Sequence, residues 1–152
     1  MEPLTIATTV VGITIACLKV TKILNGLRPK YIDASATIAS ICSESTLVSA
    51  SLSQIQTLLL QKSKEMATQL QTRPEIAATI DTTLTGCAIV FACLEEEVTR
   101  LELEAWRGED QQGWLERARL AWKADGMKEL LQSIRGQQGA ITLLAQMIQM
   151  FV

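Results

Sequence analysis

Apolar residues recur along most of this chain at steps of three and four, the spacing that puts them on one face of a helix. The opening stretch PLTIATTVVGITIACL, residues 3–18, departs from that pattern because it holds no charged residue at all. At about 100° per residue it separates into two surfaces. Thr5, Thr9, Gly12 and Ala16 fall in one narrow stripe, flanked by Thr8 and Lys19. Leu4, Ile6, Val10, Val11, Ile13, Ile15 and Leu18 cover most of the remainder. A strand is the competing reading, since β-branched residues dominate and GITIA alternates. The uninterrupted length and the small-residue stripe favour a helix ending near Asn25-Gly26, ahead of Pro29.

A second helix is predicted over residues 33–60, where Ile38, Ile41, Val48, Leu52, Ile55 and Leu59 keep helical spacing. Serines fill much of the rest, and serine is a middling helix former, so packing must hold this element, with a bend expected at residues 43–45. The polar run QKSKEMATQLQTR predicts a loop or frayed extension, and Pro74 suits the first turn of the next helix. That helix carries Ile76, Ile80, Leu84, Cys87, Ala88, Phe91, Leu94, Val98 and Leu101. Its acid cluster Glu95-Glu96-Glu97 predicts a solvated face or an intersubunit contact. RGEDQQG predicts a turn, followed by a short segment with Trp114, Leu115, Ala118 and Trp122 on one side. Asp125 is placed to cap a final helix through Met127, Leu130, Leu131, Ile134, Ile141, Leu144, Met147, Ile148 and Phe151. Gly136-Gln-Gln-Gly139 predicts a kink there or a tight approach of a neighbour. The apolar pattern runs to the last residue, as expected of one domain at the start of a longer protein. The expectation is all-α: an antiparallel bundle of about five helices with a four-helix-bundle-like core.

Composition agrees with few, long elements, since 152 residues contain three prolines, eight glycines and only 4% aromatics. Histidine is absent, which removes Ser-His and Cys-His nucleophiles, histidine metal ligands and an imidazole switch. Cys17, Cys42, Cys87 and Cys93 include no C-x-x-C pair, so reduced, buried thiols in a cytosolic protein are expected rather than a metal site. RGQQGA lacks the order of a phosphate loop, and no G-x-S-x-G, kinase or dinucleotide signature occurs. Glu102 and Glu104 sit two apart and diverge on a helix. The expectation is a protein that is not an enzyme and takes no cofactor or metal.

The net charge of −2 is unevenly spread: residues 1–30 sum to +3, residues 31–94 to −2 and residues 95–152 to −3. The net-positive region directly follows the long uncharged one, through Lys19, Lys22, Arg28 and Lys30. A nucleic-acid partner is not expected, because no broad basic face with stacking aromatics is visible. A cleaved signal needs positive charge ahead of its apolar run, whereas here Glu2 precedes it and the lysines follow. Sixteen residues cover ~24 Å of a ~30 Å hydrocarbon core, short of a comfortable span. Apolar side chains favour insertion by about 2–4 kcal/mol, and the threonines, Gly12 and Pro3 offset much of that. The stretch is therefore close to balanced between a helix buried in the bundle and one transferred to a bilayer. Transferred, it extends through Leu24, with Lys19 and Lys22 reaching to headgroups and its small-residue stripe letting copies pack closely.

MEPLTIATTVVGITIACLKVTKIL, the middle helix with LTGCAIVFACLEEEVTRLE, and the close AWKADGMKELLQSIRGQQGAITLLAQMIQ together resemble the fungal HeLo-like (HELL) domains. These are N-terminal domains of fungal STAND (NLR-like) receptors and of related cell-death executors. The resemblance spans nearly the whole chain as apolar positions and short motifs, most distinctive at its close. It implies a helical bundle, cytoplasmic at rest, that is oligomerised by an upstream receptor or an amyloid-forming segment outside these residues. The oligomer then permeabilises the plasma membrane in programmed cell death tied to non-self recognition, as in heterokaryon incompatibility and in a similar way to the animal necroptosis executor. Carried onto this chain, the resemblance implies membrane insertion by Leu4, Ile6, Val10, Val11, Ile13, Ile15 and Leu18. Close packing of the homo-oligomer falls to Thr5, Thr9, Gly12 and Ala16, and contact with anionic lipid headgroups to Lys19, Lys22, Arg28 and Lys30. The alternative expectation is a non-lytic adaptor that passes on receptor oligomerisation through contact points at Glu95, Glu96, Glu97, Trp106, Trp114 and Trp122.

Overall fold

Core positions that alternate in steps of three and four average 3.5 residues, a repeat that lets neighbouring helices interlock at shallow angles. The chain follows this rule in a computed structural model that describes residues 2–31, 35–106 and 125–151. On α1 (Pro3–Leu27) the buried positions are Ile6, Val10, Ile13, Cys17, Val20, Leu24 and Leu27. On α2 (Ser35–Gln61) they are Ile38, Ile41, Ser45, Val48, Leu52, Ile55 and Leu59. The short α3 (Ser63–Thr72) buries Met66 and Leu70. The seam of α4 (Pro74–Trp106) runs from Ile76 and Ile80 through Phe91 to Leu101, and α5 (Asp125–Phe151) contributes Met127, Ile134, Ile141, Leu144 and Ile148. No strand occurs among the described residues, and the helices pack on one another as an all-α bundle.

Side-chain contacts set the directions. Cys42 beside Asn25 makes α1 and α2 antiparallel neighbours. Glu44 meets Arg135 and Ser51 meets Thr142 at one constant offset, so α2 and α5 run parallel. Gln137 lies against Gly86, and Arg73 stacks over the Phe151 ring at 4.9 Å, so α4 and α5 are antiparallel. Around the bundle the order is α1, α2, α5, α4, with α1 and α5 on one diagonal and α2 and α4 on the other. A chain going from α2 to α4 must cross that diagonal, and α3 makes the crossing at the end where α1 begins.

Several local expectations change. Residues 63–72 form helix α3 rather than a loop or frayed extension, because Met66 and Leu70, one turn apart, plug the bundle end against α1, α2 and α4. α1 continues through Asn25 and Gly26; it stops before Pro29, where the Lys30 and Tyr31 amides both return to the Leu27 carbonyl. α2 runs unbroken through residues 43–45, with Ser45 on its core face and fully buried. α5 runs unbroken through residues 136–139, and a side chain at Gly136 or Gly139 would meet open space, so neither marks a close approach. α5 begins at Asp125. The turn and short helix expected at residues 107–122 lie outside the described residues.

Two substitutions test this packing. Met66→Ala is expected to lower unfolding stability by about 2–4 kcal/mol in a denaturant titration, where a loop position would change it by under about 0.5 kcal/mol. The Ser45 hydroxyl finds no hydrogen-bond partner, so Ser45→Ala is expected to raise the melting temperature, by an amount equivalent to about 1 kcal/mol.

Candidate membrane interface

A helix that is apolar all round has one face to spare once the other is packed. The side chains expected to insert divide along this line. Ile6, Val10 and Ile13 lie in the core, with Ile13 only 4% exposed, whereas Leu4 is 75%, Val11 39%, Ile15 60% and Leu18 60% exposed. The exposed set repeats at seven, four and three residues, a straight stripe opposite the core seam that Lys22 continues one turn beyond Leu18. So the seven residues do not act as one surface. They form two, on opposite sides of α1.

The small-residue stripe lies between these faces, on the side of α1 toward α4. Thr9 and Ala16 are half-buried, while Thr5 and Gly12 are exposed, and a Cβ on Gly12 would have no neighbour within 4 Å. Crowding within the bundle accounts for Thr9 and Ala16. It does not account for Gly12, which weakens the helix by roughly 0.5–1 kcal/mol relative to alanine.

The threonines behave differently from a simple hydropathy reading. The hydroxyls of Thr8, Thr9, Thr14 and Thr21 each donate to the carbonyl one turn back, at 2.9–3.0 Å. A hydroxyl bonded within its own helix brings fewer unmet polar groups into an apolar medium. The opposition to insertion expected from threonine is correspondingly smaller.

Among the basic residues, Lys19 pairs with Glu95 of α4 at 2.8 Å, with both side chains partly exposed. An exposed pair of this kind stabilises by about 0–1 kcal/mol. Lys22 and Arg28 are exposed, and Lys30 is half-buried. The acid cluster is thereby divided: Glu95 serves α1, Glu97 pairs with Arg100 on its own helix at 2.7 Å, and Glu96 faces solvent. Trp114, Trp122 and the side chain of Trp106 lie outside the described residues.

Sequence reading assigned one helix to the bilayer, but α1 and α4 are both long and apolar enough to cross a membrane. The signal for α4 was the uncharged run TTLTGCAIVFACL, residues 82–94, whose outward side includes Ile89 at 58% exposure. No cluster of three metal-ligating Cys, Asp or Glu side chains occurs among the described residues. All four cysteines are free, with Cys17 and Cys87 buried, Cys42 half-buried and Cys93 exposed, so the expectation of buried thiols fails at Cys93. Partial burial pushes the Cys42 thiol up, and the nearby Arg28 charge only partly offsets this. No protein-family model, curated protein or solved structure matches the chain.

Alkylation of the folded protein should therefore modify Cys93 first. Cys42 should follow more slowly, and Cys17 and Cys87 should react only after denaturation; mass spectrometry of timed samples reads the order. Early modification of Cys17 would show that α1 opens readily.

Proposed function

We propose that this chain is a membrane-permeabilising executor domain of programmed cell death, at rest in the cytoplasm as a closed bundle and brought to the plasma membrane by oligomerisation. The observation that carries the reading is the second apolar face of α1, the exposed stripe Leu4, Val11, Ile15 and Leu18 ending at Lys22. It gives α1 a surface suited to lipid that the bundle leaves unused. The internally bonded threonines lower the opposition to transfer, and Gly12 offers a close-packing point for neighbouring copies in lipid. The resemblance to HeLo-like domains supplies the biological setting: an upstream receptor or amyloid-forming partner, acting through a segment outside these residues, is the oligomerising trigger.

Energetics require that trigger. Withdrawing α1 uncovers Ile6, Val10, Ile13, Cys17, Val20, Leu24 and Leu27 together with their partners, on the order of 10 kcal/mol, comparable with the whole stability of a domain this size. Transfer of α1 alone to lipid is close to balanced and does not supply this.

A second reading, a non-lytic adaptor, is favoured by one feature. Ala36, Ala39, Ser43, Thr46, Ala50, Ser53 and Thr57 form an exposed, uncharged line along α2 at alternating steps of three and four, suited to another helix.

Dye release from liposomes separates the two. Ile15→Asp changes an exposed position, so the circular dichroism melt should be unaltered while leakage falls at least about tenfold, in line with about 2.5–3.5 kcal/mol for a charge at the centre of a membrane helix. Ile13→Asp strikes the core and should unfold the bundle, which makes it uninformative about insertion. Gly12→Ala should stabilise the soluble bundle by about 0.5–1 kcal/mol and yet reduce leakage. Unchanged leakage in Ile15→Asp, or no leakage from forcibly oligomerised protein, favours the adaptor.

A further inference from the structure

We infer that the folded bundle docks on an anionic bilayer before α1 is released, through the outer stripe of α1 and the adjoining edge of α2. This rests on the membrane-permeabilising reading and adds the surface and the state of first contact. The inner seam of α1 is too deeply packed to leave unaided, but its outer stripe needs no rearrangement to meet lipid. Leu4, Val11, Ile15 and Leu18 already stand in solvent.

The register of α1 against α2 extends this surface. Cys42 faces α1 at Asn25, and Leu60 lies 18 residues further along α2, five whole turns, on the same line. Because the helices are antiparallel, Leu60 stands beside the first half of α1, and it is 73% exposed.

Charge selects an anionic bilayer as the occupant. Between Glu2 and its end α1 carries no carboxylate, and its stripe ends at Lys22, with Arg28 six residues on, just past the end of the helix. The carboxylate of α2, Glu44, points to Arg135 on α5, on the flank of α2 away from α1. Glu95, where α4 approaches, is neutralised by Lys19. An apolar stripe leading into Lys22 and Arg28, which form no ion pair among the described residues, matches hydrocarbon bordered by anionic headgroups, the arrangement of helices that lie in the membrane interface. A second copy of the same face would offer these cations one carboxylate at most, Glu2 ahead of α1, whereas an anionic bilayer offers a continuous field of anionic groups.

Flotation with phosphatidylcholine vesicles, with and without phosphatidylserine, tests the surface. The unaltered chain should bind the phosphatidylserine vesicles preferentially, below the concentration that causes leakage. Leu18→Asp and Leu60→Asp should each weaken that binding about fivefold or more, and the uncharged Leu60→Gln should act in the same direction. Leu143→Asp is the control: Leu143 is 67% exposed on α5, diagonally across from α1, and binding should stay within about twofold. Equal losses from Leu143→Asp and Leu60→Asp overturn the assigned face. Dimerisation of lipid-free protein that Leu18→Asp abolishes overturns lipid as the occupant. Amide exchange on the vesicle-bound protein tests the state, with residues 41–55 of α2 and 84–94 of α4 expected to keep their solution protection. Loss of that protection at sub-leakage concentrations overturns docking before release and leaves the leakage reading standing. Absence of both binding and leakage removes the two together.

Discussion

The inner seam of α1 governs the rest of the structure. Ile6, Val10, Ile13, Cys17, Val20 and Leu24 fill the space between α2 and α4, and all are essentially inaccessible to solvent. Such a seam holds a helix by area rather than by any single contact. The polar ties of α1 to α4 and α2, Lys19 to Glu95 and Asn25 to Cys42, are partly exposed and contribute little beside it.

Because one seam suffices to hold α1, its opposite face is free to meet another demand. Soluble bundles ordinarily place charge there. Here that face carries Leu4, Thr8, Val11, Ile15 and Leu18, and charge begins with Lys19 and Lys22. The threonines on and beside it turn their hydroxyls into the helix, so the surface is less polar than its composition suggests. Charge elsewhere concentrates toward the end where α1 finishes, with Glu44, the Glu95–Glu97 cluster, Arg100, Lys128 and Arg135, and toward the α3 end, with Lys62, Lys64, Glu65 and Arg73. The long uncharged stretches of α1, α2 and α5 lie between those two zones.

The short α3 shows how tertiary demands override local preference. Its sequence SKEMATQLQT is polar enough to read as a loop, with Met66 and Leu70 as its large apolar residues. Those two are one turn apart, and the chain must pass diagonally from α2 to α4 across the open end of the bundle. A helix that presents Met66 and Leu70 inward seals that end, and burial supplies what propensity does not. The same logic lets α5 run through Gly136 and Gly139, since packing of Ile134, Ile141 and Leu144 on either side holds the backbone without close approach at the glycines.

The sequence by itself determined the all-α class, four long helices and most of the core face of α2, α4 and α5, because a 3.5-residue repeat of Leu, Ile and Val specifies both helix and buried face. It also marked the uncharged opening with its basic flank, since charge is read without reference to fold. It left undecided which half of α1's apolar residues would be used inside, because a helix apolar on every side has no preferred orientation of its own. That choice came from the neighbours: α2 and α4 claimed Ile6, Val10 and Ile13, and left Leu4, Val11, Ile15 and Leu18 outside. The pairing of Lys19 with Glu95 was likewise invisible in the chain, because 76 residues separate them and only the parallel packing of α1 on α4 brings them to 2.8 Å.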